Sequence, residues 1–332
     1  MSADEILSID KCGDLFPYGE EAAKAKYREL VKLWHPDTNK SAEALEVFDR
    51  INALYDRARE LLKNGQWEKT DFILLTKENG KHIAVNYDTS FGFELGRCYV
   101  SKTKVIYVFD SDKEKYYKNA VQRISAIRYG DKKMEEDLGR FIPKLYQNFE
   151  TKSGEFVLVL DKPEDAYPLR SVCEYFGGSL DDRHAAWIIS RLCNLACYLK
   201  YSGLVHNGIS IDNCFISPNA HSVLLLGGWW YAVREGENML GAAKEIFEIM
   251  PVSAKSTKKA SAVTDLESVK LIGRKLIGIS AKAPKPFMDF LTGGSGSSPY
   301  EEYEKWDRAL YASYGERRFV KMEINDLYKK GD

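Results

Sequence analysis

The chain has 332 residues, 44% of them hydrophobic, and a formal net charge of −1. That composition supplies a sizeable core and more than one domain, and it lacks the global field that would draw the protein to nucleic acid or an anionic membrane. No run of about 18 apolar residues appears, and the first residues lack the basic-then-apolar layout of a secretory signal, so the expectation is a soluble, cytoplasmic protein with no membrane partner.

Short apolar pieces open the chain, Ile6-Leu7-Ser8-Ile9 and then Leu15-Phe16. Ala23, Tyr27, Leu30 and Trp34 follow the i, i+4, i+7, i+11 spacing of one buried helix face. Lys24, Arg28 and Lys32 make a basic stripe on another face. The helical run stops at His35-Pro36-Asp37. Proline removes a backbone donor and pushes the residue before it out of helical geometry. Asp37 and Asn39 favour a turn through side-chain bonds to nearby backbone. A second helix is expected from a cap at Ser41, with Ala44, Phe48, Ile51, Tyr55, Ala58 and Leu62 facing inward, ending at Asn64-Gly65. By itself the His-Pro-Asp segment is only a loop between two helices.

Taken together, Tyr27-Arg28, Leu30, Trp34 to Asp37, Asn39 and the F-x-x-I-N-x-x-Y run from Phe48 to Tyr55 resemble the J-domain of DnaJ-type co-chaperones. The resemblance covers residues 1–65 and implies an all-α antiparallel helical hairpin crossed by a short first helix. It also implies a partner, a DnaK-type heat-shock chaperone. Lys24, Tyr27, Arg28 and Lys32 would dock on it, His35, Pro36 and Asp37 would trigger its ATP hydrolysis, and Asn39 would support the loop. Glu29 and Asp49 are acidic where relatives often carry basic residues. The six cysteines show no CxxC pairing, which removes the zinc module of some DnaJ relatives and reads as buried free thiols in a reducing compartment. No metal or cofactor is expected.

After a short linker at 66–70 containing Trp67, expected to help the two domains pack, the texture changes. Phe72–Leu75, His82–Tyr87, Arg97–Ser101 and Val105–Phe109 read as strands. Tyr117, Val121, Ile124 and Ile127 give a helical stripe, Phe156–Leu160 a buried strand, and the remainder from Pro168 is mainly helical. Ala185, Ile188, Leu192, Leu195 and Leu199 place a helix ending at Tyr201-Ser202-Gly203. A small α+β lobe at about 71–165 would thus precede a larger helical lobe at about 166–332.

Leu204 to Ile216, with His206, Gly208, Asp212 and Asn213, has the rhythm of a protein-kinase catalytic loop, and an apolar hairpin turning at Ser217-Pro218-Asn219 follows it. Asp265-Leu266-Glu267-Ser268 resembles the kinase segment whose buried aspartate braces that loop. The resemblance to a bilobal protein-kinase-like fold spans 71–332. Its chemistry is missing. The catalytic base position is Gly208, and the metal-binding position falls in Gly227-Gly228-Trp229-Trp230. Val105–Phe109 has no lysine at the expected place; aligning Ser125–Arg128 there instead would supply an arginine. The glycine-rich loop is reduced to Gly92 and Gly96, and Trp229-Trp230 is expected to fill the emptied cleft. Such a domain resembles a pseudokinase, not an enzyme.

Residues 252–262, with Lys255, Lys258 and Lys259, read either as a solvated flexible loop or as a basic docking site, and 292–298 as a second flexible loop. The run Tyr303, Trp306, Leu310, Tyr311 and Tyr314 reads as a packed helix. Three functions fit: a co-chaperone adaptor whose kinase-like part selects an unknown client or partner, an atypical nucleotide-binding transferase relying on Asp212 beside Asn213, or a non-stimulating scaffold.

Overall fold

The computed structural model describes residues 1–278, 283–316, 318–325 and 327–328, so the end of the span expected for the larger lobe, 329–332, lies outside the described residues. By contacts the chain divides into two compact units, Met1–Ser90 with Thr151–Ser153, and Phe91–Glu150 with Gly154–Asp332.

The first unit contains α1 (Ala3–Leu7), α2 (Cys12–Leu15), α3 (Glu20–Trp34), α4 (Ala44–Lys63) and a hairpin of β1 (Phe72–Thr76) and β2 (His82–Asn86). Ser2 and Glu5 form a reciprocal capping box that starts α1. Helices α3 and α4 bury Ala23 and Leu30 against Val47, Ile51, Leu54 and Ala58, and Ile6, Leu15 and Phe16 close the same core. The inward stripe of α4 is Ala44, Val47, Ile51, Leu54, Ala58 and Leu61. It lies one position earlier than expected at three turns, and Phe48, Tyr55 and Leu62 are half-buried flanks. Ser41 does not cap α4. The helix begins after Glu43, and Ser41 donates its N–H to Asn39 Oδ1 at 3.0 Å, which ties it to the preceding turn. Asn64 and Gly65 end α4, with Gly65 at φ 65°.

Residues 66–70 pack within this unit. The Gly13 N–H donates to Glu68 O at 3.0 Å, and Asp14 accepts from Thr70 N–H and Oγ1 at 2.8 and 2.7 Å. A Cβ on Gly13 would lie 2.7 Å from Trp67 Nε1, so glycine is required where α2 meets this segment. Strands β1 and β2 hydrogen-bond only to each other as a named sheet, across an Asn79-Gly80 turn. Contacts therefore group them with the helices, and the unit runs on past the expected linker to Ser90.

The second unit opens with a five-stranded antiparallel sheet. Its elements are β3 (Thr89–Phe93), β4 (Gly96–Val100), β5 (Lys104–Phe109), α5 (Glu114–Ser125), α6 (Lys132–Leu138), β6 (Lys144–Glu150) and β7 (Phe156–Asp161). The strand order is β3-β4-β5-β7-β6. Every residue of β5 after Lys104 is buried, as the continuous apolar run requires of a central strand. Edge strand β6 alternates half-buried and exposed residues and carries polar ones outward.

The helical part comprises β8 (Tyr167–Pro168), α7 (Leu169–Tyr175), α8 (Asp182–Tyr201), β9 (Leu204–Val205), β10 (Cys214–Ser217), β11 (Ser222–Leu225), β12 (Val233–Arg234), α9 (Lys244–Ile249), α10 (Val252–Thr257), α11 (Ala262–Ile277), α12 (Lys285–Thr292) and α13 (Pro299–Tyr314). Among the described residues no helix is long and apolar enough to cross a membrane.

Two segments expected to be flexible are tied down. Residues 252–257 form α10, and 258–260 exchange backbone bonds with 236–239. The 292–298 segment donates Ser295 N–H to Glu267 and Gly296 N–H to Glu302, at 2.8 and 3.0 Å. Glu302 also pairs with Lys270 at 2.7 Å, both side chains only 2% exposed. Trp306 anchors α13 in the core, whereas Tyr311, expected to pack, is exposed.

Candidate functional site

In the first unit, α3 ends where proline dictates. His35 takes extended geometry, φ −62° and ψ 129°, while its N–H still donates to Val31 O at 2.9 Å. Its carbonyl then accepts from Thr38 and Asn39 N–H at 3.0 and 2.8 Å, closing the turn. His35 Nδ1 accepts the Asp37 N–H at 3.2 Å, so the neutral ring carries its proton on Nε2. The ring meets Phe48 edge-on, 5.1 Å between centroids. Asn39 Nδ2 donates to Leu33 O at 3.1 Å, and its Oδ1 accepts from Ser41. Asn39 thus ties the turn to the last residues of α3 and to Ser41, ahead of α4. The Asp37 side chain is 87% exposed, 3.6 Å from His35 Nδ1.

Lys24, Arg28 and Lys32 are exposed along α3, and no ion pair engages them among the described residues. Glu29 is taken up by Lys26 at 2.8 Å. Tyr27 lies elsewhere: it stacks on Tyr55 at 4.0 Å and donates its hydroxyl to Asn52 Oδ1 at 2.8 Å. It clamps α3 to α4. The F-x-x-I-N-x-x-Y run holds both partners of that clamp, a signal that pointed to packing as much as to docking.

In the second unit, the loop from His206 to Asn213 hangs from Asp265. Its buried carboxylate accepts the His206 and Asn207 N–H groups at 2.7 and 2.9 Å. Burial pushes the Asp265 carboxyl up to about 7 against the pull of those two bonds. His206 is fully buried, with its ring edge-on to Trp229 and burial lowering it to about 3, so it is neutral. Neither ring nitrogen has a hydrogen-bond partner among the described residues, so the ring packs without bonding. Asn213 Nδ2 donates to Gly208 O at 2.8 Å, and Gly227 N–H donates to Asn213 O at 3.0 Å.

The glycines make this arrangement possible. A Cβ on Gly208 would lie 3.1 Å from Gly228 Cα, and one on Gly228, at φ 82°, would lie 2.5 Å from His206 Cε1. A side chain on Gly227 would meet Asn213 Oδ1 and, at 2.7 Å, the Tyr107 hydroxyl. His206, Gly208, Asn213, Gly227 and Gly228 are thus brought together, whereas Asp212 turns away to a bidentate pair with Arg170, one bond at 2.7 Å.

Aromatic packing occupies the space beside them. Trp230 contacts Phe93, Tyr107 and Phe109, centroids 4.9 to 5.4 Å apart. From α5, Asn119 donates to the Trp230 and Ala232 carbonyls at 3.1 and 2.8 Å. Tyr107 lies on β5, the strand that lacks the expected lysine, and Arg128 lies beyond the end of α5, its guanidinium on the Ser125 and Ile127 carbonyls. Phe93, Tyr107 and Asn119 went unnoticed in the sequence because they reach Trp230 from β3, β5 and α5 only through long-range packing.

The chaperone protein DnaJ of Oceanobacillus iheyensis is 34% identical to this chain over 65 residues, 20% of this chain and 16% of that protein. The DnaJ protein of Brevibacillus choshinensis is 37% identical over the same shares. The N-terminal part of the chain is thus similar to a 65-residue stretch of these DnaJ proteins. The chain spans only about a sixth of the length of these curated relatives. A solved structure of vaccinia related kinase 3 aligns with 72% of this chain and 91% of its own, with a TM-score of 0.49 and 15% identity. No protein-family model matches. The resemblance of the second half to a kinase therefore rests on its own loop and on the Asp265 brace.

Proposed function

We propose that the chain is a co-chaperone adaptor that docks on a DnaK-type chaperone and stimulates its ATP hydrolysis. The observation that carries this reading is the His-Pro-Asp turn, complete and pointed outward. Asn39 braces it from the end of α3 and from Ser41, and Asp37 is left in solvent. Lys24, Arg28 and Lys32, exposed and without an ion pair among the described residues, supply a docking stripe whose attraction is screened by salt. Tyr27 contributes by holding α3 in register with α4. Pro36 sets the exit angle.

The kinase-like half acts as a pseudokinase that selects the client. Against phosphoryl transfer stand two glycines with no room for carboxylate side chains, an aromatic wall where a lysine is needed, and an Asp212 already engaged by Arg170. A cytoplasmic setting fits six free cysteines, five of them buried. The test is capture of the cognate chaperone with ATP by the wild-type chain and by Asp37→Asn. Specific capture lost in the variant, together with the protein carried along, supports the reading; equal capture contradicts it.

A further inference from the structure

Helices α9 and α10 are anchored from one side, where Ile246, Met250 and Ala254 are buried. Their other residues meet solvent: Phe247 is 54% exposed and Val252 82%. Lys244 shares a helix face with Phe247 at i, i+3, and Val252 shares one with Lys255. The two faces join, because Lys255 Nζ lies 5.6 Å from the Phe247 ring centroid and donates to Glu248 O at 2.8 Å. Beyond α10, Lys258 O accepts the Met239 N–H at 2.9 Å, and Lys259 bridges to Asn238. These bonds fix the backbone of both lysines beside exposed Leu240. A single exposed apolar side chain is ordinary, but a continuous surface that carries several marks a contact site.

The charges on this surface do not balance. Lys244, Lys258 and Lys259 are exposed, Lys255 is partly so, and none of the four makes an ion pair among the described residues. The carboxylates of the same stretch are mostly engaged elsewhere: Glu235 with Lys200 at 2.7 Å, Glu237 with Arg123 at 3.4 Å, and Glu245 with Lys275. Glu248 alone of them has no ion pair among the described residues. The excess is local, since the whole chain carries a net charge of −1. Cations interleaved with exposed apolar side chains suit a protein segment in which carboxylates alternate with apolar residues. An anionic bilayer is a poorer match, because α9 and α10 have six residues each, too few to lay a continuous apolar face among headgroups.

We infer that this surface docks an acidic, apolar-containing segment of a partner protein. Asp and Glu side chains of the segment pair with Lys244, Lys255, Lys258 and Lys259, and its apolar side chains cover Phe247 and Val252. The inference rests on the reading of the kinase-like half as the part that selects a client, and it gives that client a chemistry. It uses only residues of the second unit, so the His-Pro-Asp turn takes no part in it.

Fluorescence anisotropy on the full chain tests it with a labelled peptide that alternates Asp or Glu with Leu or Phe. The controls are the same peptide with Lys at the acidic positions, and vesicles of phosphatidylserine and phosphatidylcholine. The acidic peptide should bind and the basic one should not, with affinity falling about tenfold between about 0.05 and 0.5 M salt. Lys255→Glu should weaken binding about tenfold, Lys258→Glu with Lys259→Glu at least as much, and Phe247→Ser about fivefold, all at the wild-type urea midpoint. No binding of the acidic peptide at about 1 mM, an affinity unchanged in every variant, or binding of vesicles without binding of peptide overturns the inference. Chaperone ATP turnover, measured with the same chains, separates the two readings. Stimulation without peptide binding defeats this inference alone, and peptide binding without stimulation defeats the co-chaperone reading alone.

Discussion

Each half of the chain holds a histidine in a loop that follows a long helix, and the two loops face opposite surroundings. His35 caps α3 and holds a turn that leaves Asp37 in solvent. His206 is sealed under Trp229, in a loop drawn inward by Asp265 and closed by backbone approaching backbone at Gly208 and Gly228. One loop is built to be touched, the other to hold its own lobe together. A motif's residues therefore carry information only with their exposure.

The sharpest way to break this contrast is to restore a side chain to the closed loop. Gly228→Ala places a Cβ against His206 at a left-handed φ, and should cost about 3–5 kcal/mol in urea unfolding. Gly227→Asp should likewise destabilise and give no kinase activity. A stable Gly227→Asp variant that transfers phosphate would contradict the account of the cleft.

Removing the brace comes next. Asp265→Ala strands two buried N–H groups and should cost about 2–4 kcal/mol, while chaperone stimulation per folded molecule is unchanged.

The same loop has a pH signature with two opposed parts. Asp265, raised to about 7, keeps a proton in the fold that the unfolded chain releases, so its contribution to stability grows as pH falls from 7 toward about 4. His206, lowered to about 3, refuses a proton that the unfolded chain accepts below about 6.5, so its contribution falls over that window. His206→Phe removes only the second. Its urea midpoint at pH 5, relative to pH 7.5, should exceed that of the wild type; an identical pH dependence would show that His206 is not held neutral.

The smallest effect separates packing from docking in the open half. Tyr27→Phe keeps the stack on Tyr55 and loses one hydrogen bond, so stability should fall by about 1 kcal/mol with stimulation retained. A full loss of stimulation in a folded Tyr27→Phe would make the hydroxyl a docking group.

Much of this architecture is legible in the sequence where the determinants are local. Pro36 stops a helix, Asn64-Gly65 ends another, and the apolar run Val105–Phe109 makes a central strand. Asp265 could be placed because its segment has its own pattern. Long-range packing was not legible. Edge strand β6 carries no strong apolar signal, and β3 is interrupted by Gly92. The inward stripe of α4 could not be told from its neighbour one residue on, since both are apolar. The filled cleft depends on Phe93, Tyr107 and Trp230 meeting from three parts of the chain.

The most direct test of the open loop is steady-state ATP turnover by the cognate DnaK-type chaperone, measured alone, with the wild-type chain, and with His35→Gln. The wild type should raise turnover several-fold, and His35→Gln, folded to the same urea midpoint, should leave it at the basal rate. Equal turnover with the two chains would contradict the claim that this turn acts on another protein's ATP site.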